Sequence, residues 1–240
     1  MTRTKTDGRA GEAVAATAIP SRRHVARVMR KLAAAMRSMP EPAVEKIAEA
    51  EQSDPFKVLI ATMLSAQTRD AVTLEASNRL FARAGTPREL VRIHASTIES
   101  LIYPVSFYRH KARHVRETCR LLLARYDGRV PTTMPELLAL PGVGRKTANL
   151  VLIVALRSED NICVDTHVHR ISNRLGWVAT RTPEETEQAL YQVVARRWWP
   201  LINLYLVTWG QNVCKPVYPT CLRCAVSALC QRIGVDRVGK

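Results

Sequence analysis

A lysine near the middle of the chain is well placed for covalent chemistry. Lys146 lies in the sequence LPGVGRKTANLVL, where a helix predicted to begin near Val143 puts it in the first helical turn. A neutral lysine amine is a nucleophile toward an electrophilic carbon and forms a Schiff base there. The alternative role is a surface lysine that neutralises a phosphate, and the spacing does not separate these two roles.

An aspartate further along the chain is the second candidate for chemistry. Asp165, in VDTHVHR, comes directly before a segment with helical apolar spacing. Its carboxylate is therefore predicted to cap that helix by accepting a backbone N–H one turn on. A capped carboxylate is held rigidly, so the same group can also stabilise positive charge or take up a proton. Capping and catalysis are compatible roles for Asp165.

Four cysteines near the C-terminus predict a metal centre. Their spacing is C-x6-C-x2-C-x5-C, formed by Cys214, Cys221, Cys224 and Cys230. Closely spaced cysteines in a reducing compartment are typical of a metal site and not of a disulfide framework. Four thiolates suit tetrahedral zinc and an iron–sulfur cluster equally well, and the ligand count does not choose between them.

A short Gly-rich turn precedes Lys146. Gly142 and Gly144 separate a helix predicted from Thr133 to Pro141 from the helix that carries Arg145. Backbone N–H groups at a helix N-terminus, with the positive end of the helix dipole, bind a phosphate without any side chain. Two helices joined by PGVG indicate a helix-hairpin-helix that grips the DNA backbone. An ordinary turn between two helices is the alternative.

The elements that must position these residues are predicted to be helices. One apolar stripe at helical spacing contains Phe56, Leu59, Ile60, Met63 and Leu64, and no segment alternates with the period of a strand. Thr86-Pro87 with Glu89 marks a helix start. Capping boxes are expected at three further sites, namely Ser96 with Glu99, Thr133 with Glu136, and Thr182 with Glu185. The sequence predicts an all-α fold.

The charge balance indicates a polyanionic partner. The chain of 240 residues has 36 Lys and Arg against 21 Asp and Glu, a net charge of +15. Such a surface favours nucleic acid, because each neutralised phosphate releases counterions. An anionic membrane and a merely solubilising surface are the alternatives. No stretch is apolar enough to span a bilayer or to act as a signal peptide, so we expect an intracellular protein, in the cytoplasm or nucleoid if bacterial.

LPGVGRKTA, VDTHVHR and the cysteine pattern occur in that order, and together they resemble the endonuclease III family over residues 54–231. The resemblance implies two helical domains flanking a DNA-binding cleft. A six-helix barrel with the helix-hairpin-helix is expected over residues 48–159, and an iron–sulfur cluster domain over residues 23–47 and 160–240. Residues 1–22 are expected to form a disordered basic tail.

The resemblance also implies roles for individual residues. Lys146 would be the Schiff-base nucleophile, Asp165 its carboxylate partner, and the four cysteines the ligands of a [4Fe–4S] cluster. Gln67 in LSAQT and Phe107 in PVSFY would fill the gap left by a flipped nucleotide. Without the resemblance, Gln67 is interpreted as a polar helix-end residue and Phe107 as a core aromatic.

Two positions near these loops are less simply interpreted. Lys215, between the first two cysteines, is expected to contact a phosphate, and a solvated lysine is an equally good account. Ser106 departs from the family pattern, because the loop that carries the apolar wedge usually has glycine there.

The function implied is that of a DNA glycosylase and abasic-site lyase of base excision repair. It would act as a monomer on double-stranded DNA with damaged bases or abasic sites, removing damaged, oxidised pyrimidines and cleaving the strand by β-elimination. Two alternatives stay open at this point. One is a glycosylase of the same fold for pyrimidine dimers or mismatched bases, and the other is a non-catalytic helix-hairpin-helix module with structural zinc.

Overall fold

The computed structural model describes residues 20–239, and this part of the chain contains helices and no strand. The predicted all-α fold is therefore confirmed. The predicted tail lies largely outside the described residues, but its last three positions do not. Ser21 caps the first helix by accepting the backbone N–H of His24 at 3.2 Å, and Arg22 is already helical.

Twelve α-helices are found in residues 20–239: α1 (Arg22–Ala35), α2 (Ala43–Ala50), α3 (Pro55–Ser65), α4 (Asp70–Arg83), α5 (Pro87–Arg92), α6 (Ala95–Ile102), α7 (Tyr108–Arg125), α8 (Met134–Leu138), α9 (Arg145–Val154), α10 (Thr166–Arg174), α11 (Pro183–Val193) and α12 (Ile202–Asn212). Short 3₁₀ segments cover Met36–Ser38, Arg196–Leu201, Cys221–Arg223 and Ser227–Leu229. No helix in this range is both long and apolar enough to cross a bilayer.

One hydrophobic core is built by helices α3 to α9. The apolar stripe predicted on α3 is buried in it, since Phe56, Leu59, Ile60, Met63 and Leu64 all belong to this cluster. Helix α7 contributes residues on one face, including Cys119, which is fully buried as predicted. This core supports the loop before α9, which carries the PGVG sequence.

A second core is formed by α1 with helices α10 to α12. Trp177 and Trp209 are buried in it, together with Val25 and Met29 of α1. The chain thus returns to its N-terminal helix after completing the first core. A smaller cluster joins the two, with Val44 of α2, Leu150 of α9 and the buried Cys163 among its members.

Polar contacts also cross between the two cores. Asp70, the first residue of α4, accepts the backbone N–H of Ala43 at 2.9 Å and an amide hydrogen of Gln211 at 3.2 Å. Helix α2 packs on α3 and α4. Asp70 therefore connects a residue 27 positions before it with one 141 positions after it.

Candidate active site

A cleft of about 780 Å³ lies between the two cores and brings Lys146 and Asp165 to one place. Its walls come from α2, the end of α3, α9, the start of α10, and helices α11 and α12. Residues of both cores therefore line it. The sequence places Lys146 and Asp165 nineteen positions apart, and the fold brings them to the same cavity.

Lys146 is the second residue of α9 and is partly buried in the cleft wall. Gly144 is the N-cap, and no side chain of the described residues caps this helix. The first N–H groups of α9 have no helical acceptor and carry the positive end of the helix dipole. This helix end is therefore open to an anion directly beside the lysine amine.

Asp165 caps α10, as the sequence predicts. One carboxylate oxygen accepts the backbone N–H groups of His167 and Val168, both at 2.9 Å, and the other oxygen contacts the His167 imidazole Nδ1 at 2.9 Å. Burial opposes ionisation of this carboxyl, but these hydrogen bonds outweigh it and hold the pKa of Asp165 below its ordinary value. The group is therefore a fixed negative charge at neutral pH.

His167 is itself held by close packing against α12. A Cβ on Gly210 would lie 2.6 Å from the His167 ring, so only glycine fits at this crossing of α10 and α12. This packing limits the movement of the imidazole, whose Nδ1 contacts the Asp165 carboxylate.

Glu45 is a cleft residue that the sequence does not reveal. It lies in the first turn of α2, and burial raises its pKa from 4.5 to about 7, with Lys146 pulling the value down by a smaller amount. Asp70 lies in the same cleft, and its negative charge raises the pKa of Glu45. No motif marks Glu45, because its environment comes from helices distant in sequence.

Arg145 is engaged within the protein. Its guanidinium donates to both carboxylate oxygens of Glu187 on α11, at 2.8 and 2.7 Å, and the Glu187 side chain is only 4% exposed. A bidentate pair of this kind is strong and directional. It connects the helix of Lys146 to the opposite core, a contact that the sequence analysis missed.

The helix-hairpin-helix turn is docked on α7. Thr118 donates its hydroxyl to the carbonyl of Pro141 at 2.9 Å, and a Cβ on Gly142 would meet the His114 side chain at 2.8 Å. Gly142 also has φ +77°, the left-handed region that favours glycine. Gly144, in contrast, has open space beside it, since a Cβ there would meet nothing within 4 Å.

Gln67 and Phe107 lie at the tips of two adjacent loops. Both have left-handed backbones, with φ of 54° and 55°, and Gln67 lines the cleft. The Phe107 side chain is 64% exposed, so the alternative of a core aromatic is wrong for this residue. Ser106 is not among the positive-φ residues, and its N–H bonds to the Thr68 hydroxyl at 3.2 Å. Serine is thus compatible with this loop.

The four cysteines of the C-terminal motif line one small cavity of about 30 Å³. Burial raises the pKa of Cys230, and the three other thiols raise it further, as neighbours of the same potential charge do. No described group of three or more His, Cys, Asp or Glu side chains is arranged as a ready single-ion site.

Helix α10 connects this cysteine segment to Asp165. Arg174 donates to the carbonyls of Lys215 and Pro216, both at 2.7 Å, and lies 3.5 Å from the Cys214 sulfur. Arg170 donates to the Cys214 carbonyl at 2.9 Å. Lys215 itself is exposed. Two arginines one turn apart therefore fix the loop in which Lys215 lies.

Comparison with known proteins agrees with these observations. Residues 60–196 match the family described as HhH-GPD superfamily base excision DNA repair protein. Endonuclease III of Thermotoga maritima is 49% identical over 181 residues, which are 75% of this chain and 84% of that protein. Endonuclease III-like protein 1 of Bos taurus is 43% identical over 205 residues, covering 81% and 67% respectively.

Solved structures give the same result. A non-covalent endonuclease III–DNA complex superposes with a TM-score of 0.79 at 32% identity, covering 89% of this chain and 97% of that one. A trapped endonuclease III–DNA covalent intermediate superposes with a TM-score of 0.77 at 31% identity and the same coverage. The chain belongs to the endonuclease III family, the DNA glycosylases and abasic-site lyases within the HhH-GPD superfamily of base excision repair proteins.

Proposed function

We propose that this protein excises damaged, oxidised pyrimidines from duplex DNA with Lys146 as nucleophile, and then cleaves the strand by β-elimination. One observation carries the proposal: Lys146, at the open N-terminus of α9, shares one cleft with the capped and ionised Asp165. A primary amine beside a fixed carboxylate can make and stabilise an iminium ion.

The reaction assigns a step to each group. The neutral Lys146 amine bonds to C1′ as the glycosidic bond breaks, and the departing base takes up a proton. The C1′–O4′ bond of the resulting aminal then opens, O4′ takes up a proton, and the Schiff base forms. Asp165 stabilises the positive charge that develops on the sugar and then on the Schiff base. Loss of a C2′ proton from the Schiff base breaks the bond to the 3′ phosphate. Glu45, with a pKa of about 7, is a carboxyl that can exchange protons in this cleft at neutral pH.

Extrusion of the damaged nucleotide depends on the two exposed loops. Unstacking costs on the order of a few kcal/mol, and less for a poorly stacked lesion. Gln67 and Phe107 project from neighbouring loops and would fill the space that the nucleotide leaves. The open N–H groups around Gly142 and Gly144 would bind a phosphate, and Lys215 a second one. Arg145 lies beside this phosphate site, but its guanidinium is already bound by Glu187. We therefore expect it to affect DNA binding through where it lies, and not through a new hydrogen bond.

The four cysteines Cys214, Cys221, Cys224 and Cys230 would hold a [4Fe–4S] cluster. The four cysteines line one common cavity, and membership of the endonuclease III family supports a cluster over zinc. The cluster, when bound, supplies folding energy to a segment with few helical hydrogen bonds of its own. Arg170 and Arg174 then present Lys215 to the DNA from a fixed loop.

The two cores support a two-domain division, with the barrel near residues 48–159 and the cluster domain in 23–47 and 160–240. Helix α2, residues Ala43–Ala50, crosses the boundary between residues 47 and 48, and its packing on α3 and α4 favours moving that boundary to residue 43. We propose that the protein works as a monomer inside the cell, on duplex DNA that carries damaged bases or abasic sites.

Borohydride trapping on duplexes with single defined lesions tests the proposal. Reduction of the Schiff base should join protein and DNA covalently on duplexes with an oxidised pyrimidine or an abasic site. Duplexes with a pyrimidine dimer or a mismatched normal base are the comparison set. Trapping only on that comparison set would reassign the substrate, and no trapping on any duplex would exclude the lysine mechanism.

A further inference from the structure

A buried lysine lies beneath the loops that carry Gln67 and Phe107. Lys111, on α7, is 9% exposed, and its Nζ donates to the carbonyls of Leu64 at 2.8 Å and Ala66 at 2.5 Å and to the Thr68 hydroxyl at 3.2 Å. An ammonium group has three hydrogens, so every donor is used.

The acceptors explain how a lysine can be buried here without a carboxylate partner. The carbonyls of Leu64 and Ala66 lie at the C-terminal end of α3, where carbonyls lack helical donors and the helix dipole is negative. Burial still lowers the pKa of Lys111 to about 8, and the charge of Lys146 adds a smaller effect in the same direction. The three hydrogen bonds offset part of the cost of burying this charged group.

The Thr68 hydroxyl joins the two loops through the same group of contacts around Lys111 Nζ. It accepts hydrogen bonds from Lys111 Nζ and from the Ser106 backbone N–H, both at 3.2 Å, and it donates to the Ala66 carbonyl at 3.2 Å. Its one donor and two acceptor positions are thus all occupied. The Lys111 backbone N–H also binds the Phe107 carbonyl at 3.0 Å.

These contacts enclose both left-handed residues. Gln67 lies between Ala66 and Thr68, which Lys111 holds, and Phe107 lies between Ser106, held by Thr68, and α7 itself. Left-handed backbone is unfavourable for a residue with a Cβ and persists only where the surroundings fix it. The two exposed tips therefore share one buried support.

We propose that Lys111 is a positioning residue that holds the Gln67 and Phe107 loops together in the conformation needed to fill the space left by an extruded nucleotide. The inference rests on the proposed role of these two loops. Lys111 itself would touch neither the DNA nor the reacting atoms, and would act through Thr68 and the carbonyls at the end of α3.

The test compares a reaction that needs space filling with one that does not. The first is single-turnover excision of an oxidised pyrimidine from a duplex, with 2-aminopurine beside the lesion as a fluorescent reporter of unstacking. The second is borohydride trapping on single-stranded DNA with a preformed abasic site, which has no paired strand to reorganise. Lys111→Met should slow duplex excision by about tenfold to a hundredfold, as small misplacements of positioning groups do, and should blunt the 2-aminopurine signal. Single-strand trapping should change by no more than about twofold, because it does not depend on filling the space left by an extruded nucleotide. A similar loss in both reactions would point to a step that the two reactions share.

Two further variants make the comparison specific. Cys119→Ala removes a buried side chain about two turns further along α7 and touches neither loop, so it should leave the ratio of the two rates unchanged. Thr68→Val keeps the shape of the side chain but removes the hydroxyl, and should show the same selective loss as Lys111→Met. It also gives the answer if Lys111→Met does not fold.

The outcomes separate this inference from the proposed function. Equal losses in both reactions, or no loss in either, for Lys111→Met and Thr68→Val would overturn the positioning role. A double variant Gln67→Ala with Phe107→Ala that excises at the wild-type rate would instead overturn the space-filling role of the loops. An impaired double variant beside unimpaired Lys111→Met and Thr68→Val would overturn only the inference about Lys111.

Discussion

Lys146 and Lys111 show how the surroundings of one residue type decide its use. Lys111 has every hydrogen bonded to fixed acceptors, whereas no hydrogen bond from the Lys146 amine is found among residues 20–239. An amine without fixed acceptors is available to a substrate carbon. The local sequence predicts the position of Lys146 at a helix start, but it contains nothing that distinguishes the two amines.

Lys146→Ala should abolish the borohydride-trapped complex while DNA binding is kept. Only a primary amine at this position can form the imine, whereas the open N–H groups at the start of α9 remain. Trapping is measured by gel shift on an abasic duplex, and binding by fluorescence anisotropy. Undiminished trapping would show that another amine is the nucleophile.

Asp165→Asn should leave stability nearly unchanged and remove most turnover. The amide oxygen can still accept the N–H groups of His167 and Val168, but it carries no charge to stabilise the iminium ion. Excision rates should fall by about a hundredfold or more. Melting temperature and single-turnover rate are the two measurements, and a full rate in the variant would limit Asp165 to its capping role.

Glu45→Gln should change stability in a pH-dependent way. The folded state raises the pKa of Glu45 from 4.5 to about 7, so folded protein binds more protons than unfolded protein between these values. Stability from this group is therefore lost as pH rises through that window, and the neutral Gln side chain avoids the loss. Relative to wild type, the variant should gain up to about 3 kcal/mol between pH 4.5 and pH 8, at about 1.4 kcal/mol per pKa unit. Urea unfolding at both pH values measures this gain, and an equal difference at both would contradict it.

At the scale of single residues, local patterns predict only part of the site. Asp165 could be predicted because capping is a contact with its own helix. Glu45, Lys111 and Glu187 could not, because their partners lie 25 to more than 40 positions away and only the fold brings them together. Arg145 illustrates the same limit, since its position beside a DNA-binding turn gives no sign of Glu187.

At the scale of helices, a predicted helix start is correct only where both the capping residue and the third residue of the helix agree with the observed first turn. Thr86 and Glu89 form a complete capping box. At Thr182 only half of the predicted box forms, because Thr182 caps α11 but Glu185 accepts the N–H of Arg181 and not that of Thr182. The box predicted at Ser96 is wrong, because α6 begins two residues earlier than a cap at Ser96 requires and His94 provides the cap.

The box predicted at Thr133 is also wrong, for a different reason. The Thr133 hydroxyl donates to the Glu136 carboxylate at 2.6 Å, so the two side chains satisfy each other and leave the backbone N–H groups aside. The four-residue sequence pattern does not distinguish a capping box from a direct hydrogen bond between the two side chains. The surrounding packing, with only five helical residues in α8, decides it.

The two glycines of the hairpin should respond oppositely to alanine. Gly142→Ala forces a Cβ into a left-handed backbone and against His114, and should destabilise the protein by about 1 to 3 kcal/mol. Gly144→Ala meets no atom and has φ −95°, so it should gain about 0.4 to 1 kcal/mol from the less flexible unfolded chain. The same Cβ faces the proposed phosphate site and should weaken DNA binding.

Thermal unfolding and anisotropy on an undamaged duplex measure the two effects. Salt dependence adds a check, because a lost backbone contact should lower affinity without lowering the slope that counts lysine and arginine contacts. Unchanged DNA affinity in a folded Gly144→Ala protein would place the phosphate elsewhere.

Across the whole molecule, α10 connects the two sites that the sequence treats as separate motifs. Asp165 is at its start, and Arg170 and Arg174 near its end hold the cysteine segment. Nine residues of helix span about 14 Å. The cysteine pattern and VDTHVHR are each visible in the sequence, but their coupling through one helix is visible only in the fold.

Cys221→Ala should therefore remove the proposed cluster and weaken catalysis as well as DNA binding. Without four sulfur ligands the segment from Cys214 to Cys230 loses its metal-derived folding energy. Arg170 and Arg174 then lose fixed acceptors, which loosens α10 and with it the cap that Asp165 provides. Iron content, visible absorbance, DNA affinity and borohydride trapping should all fall, with trapping reduced and not abolished because Lys146 belongs to the other core.

Cys119→Ala is the matched control, since Cys119 is buried in that core and should leave iron content unchanged. A Cys221→Ala protein that keeps wild-type iron and stability would show that Cys221 is not a ligand and would remove the basis for a four-cysteine cluster.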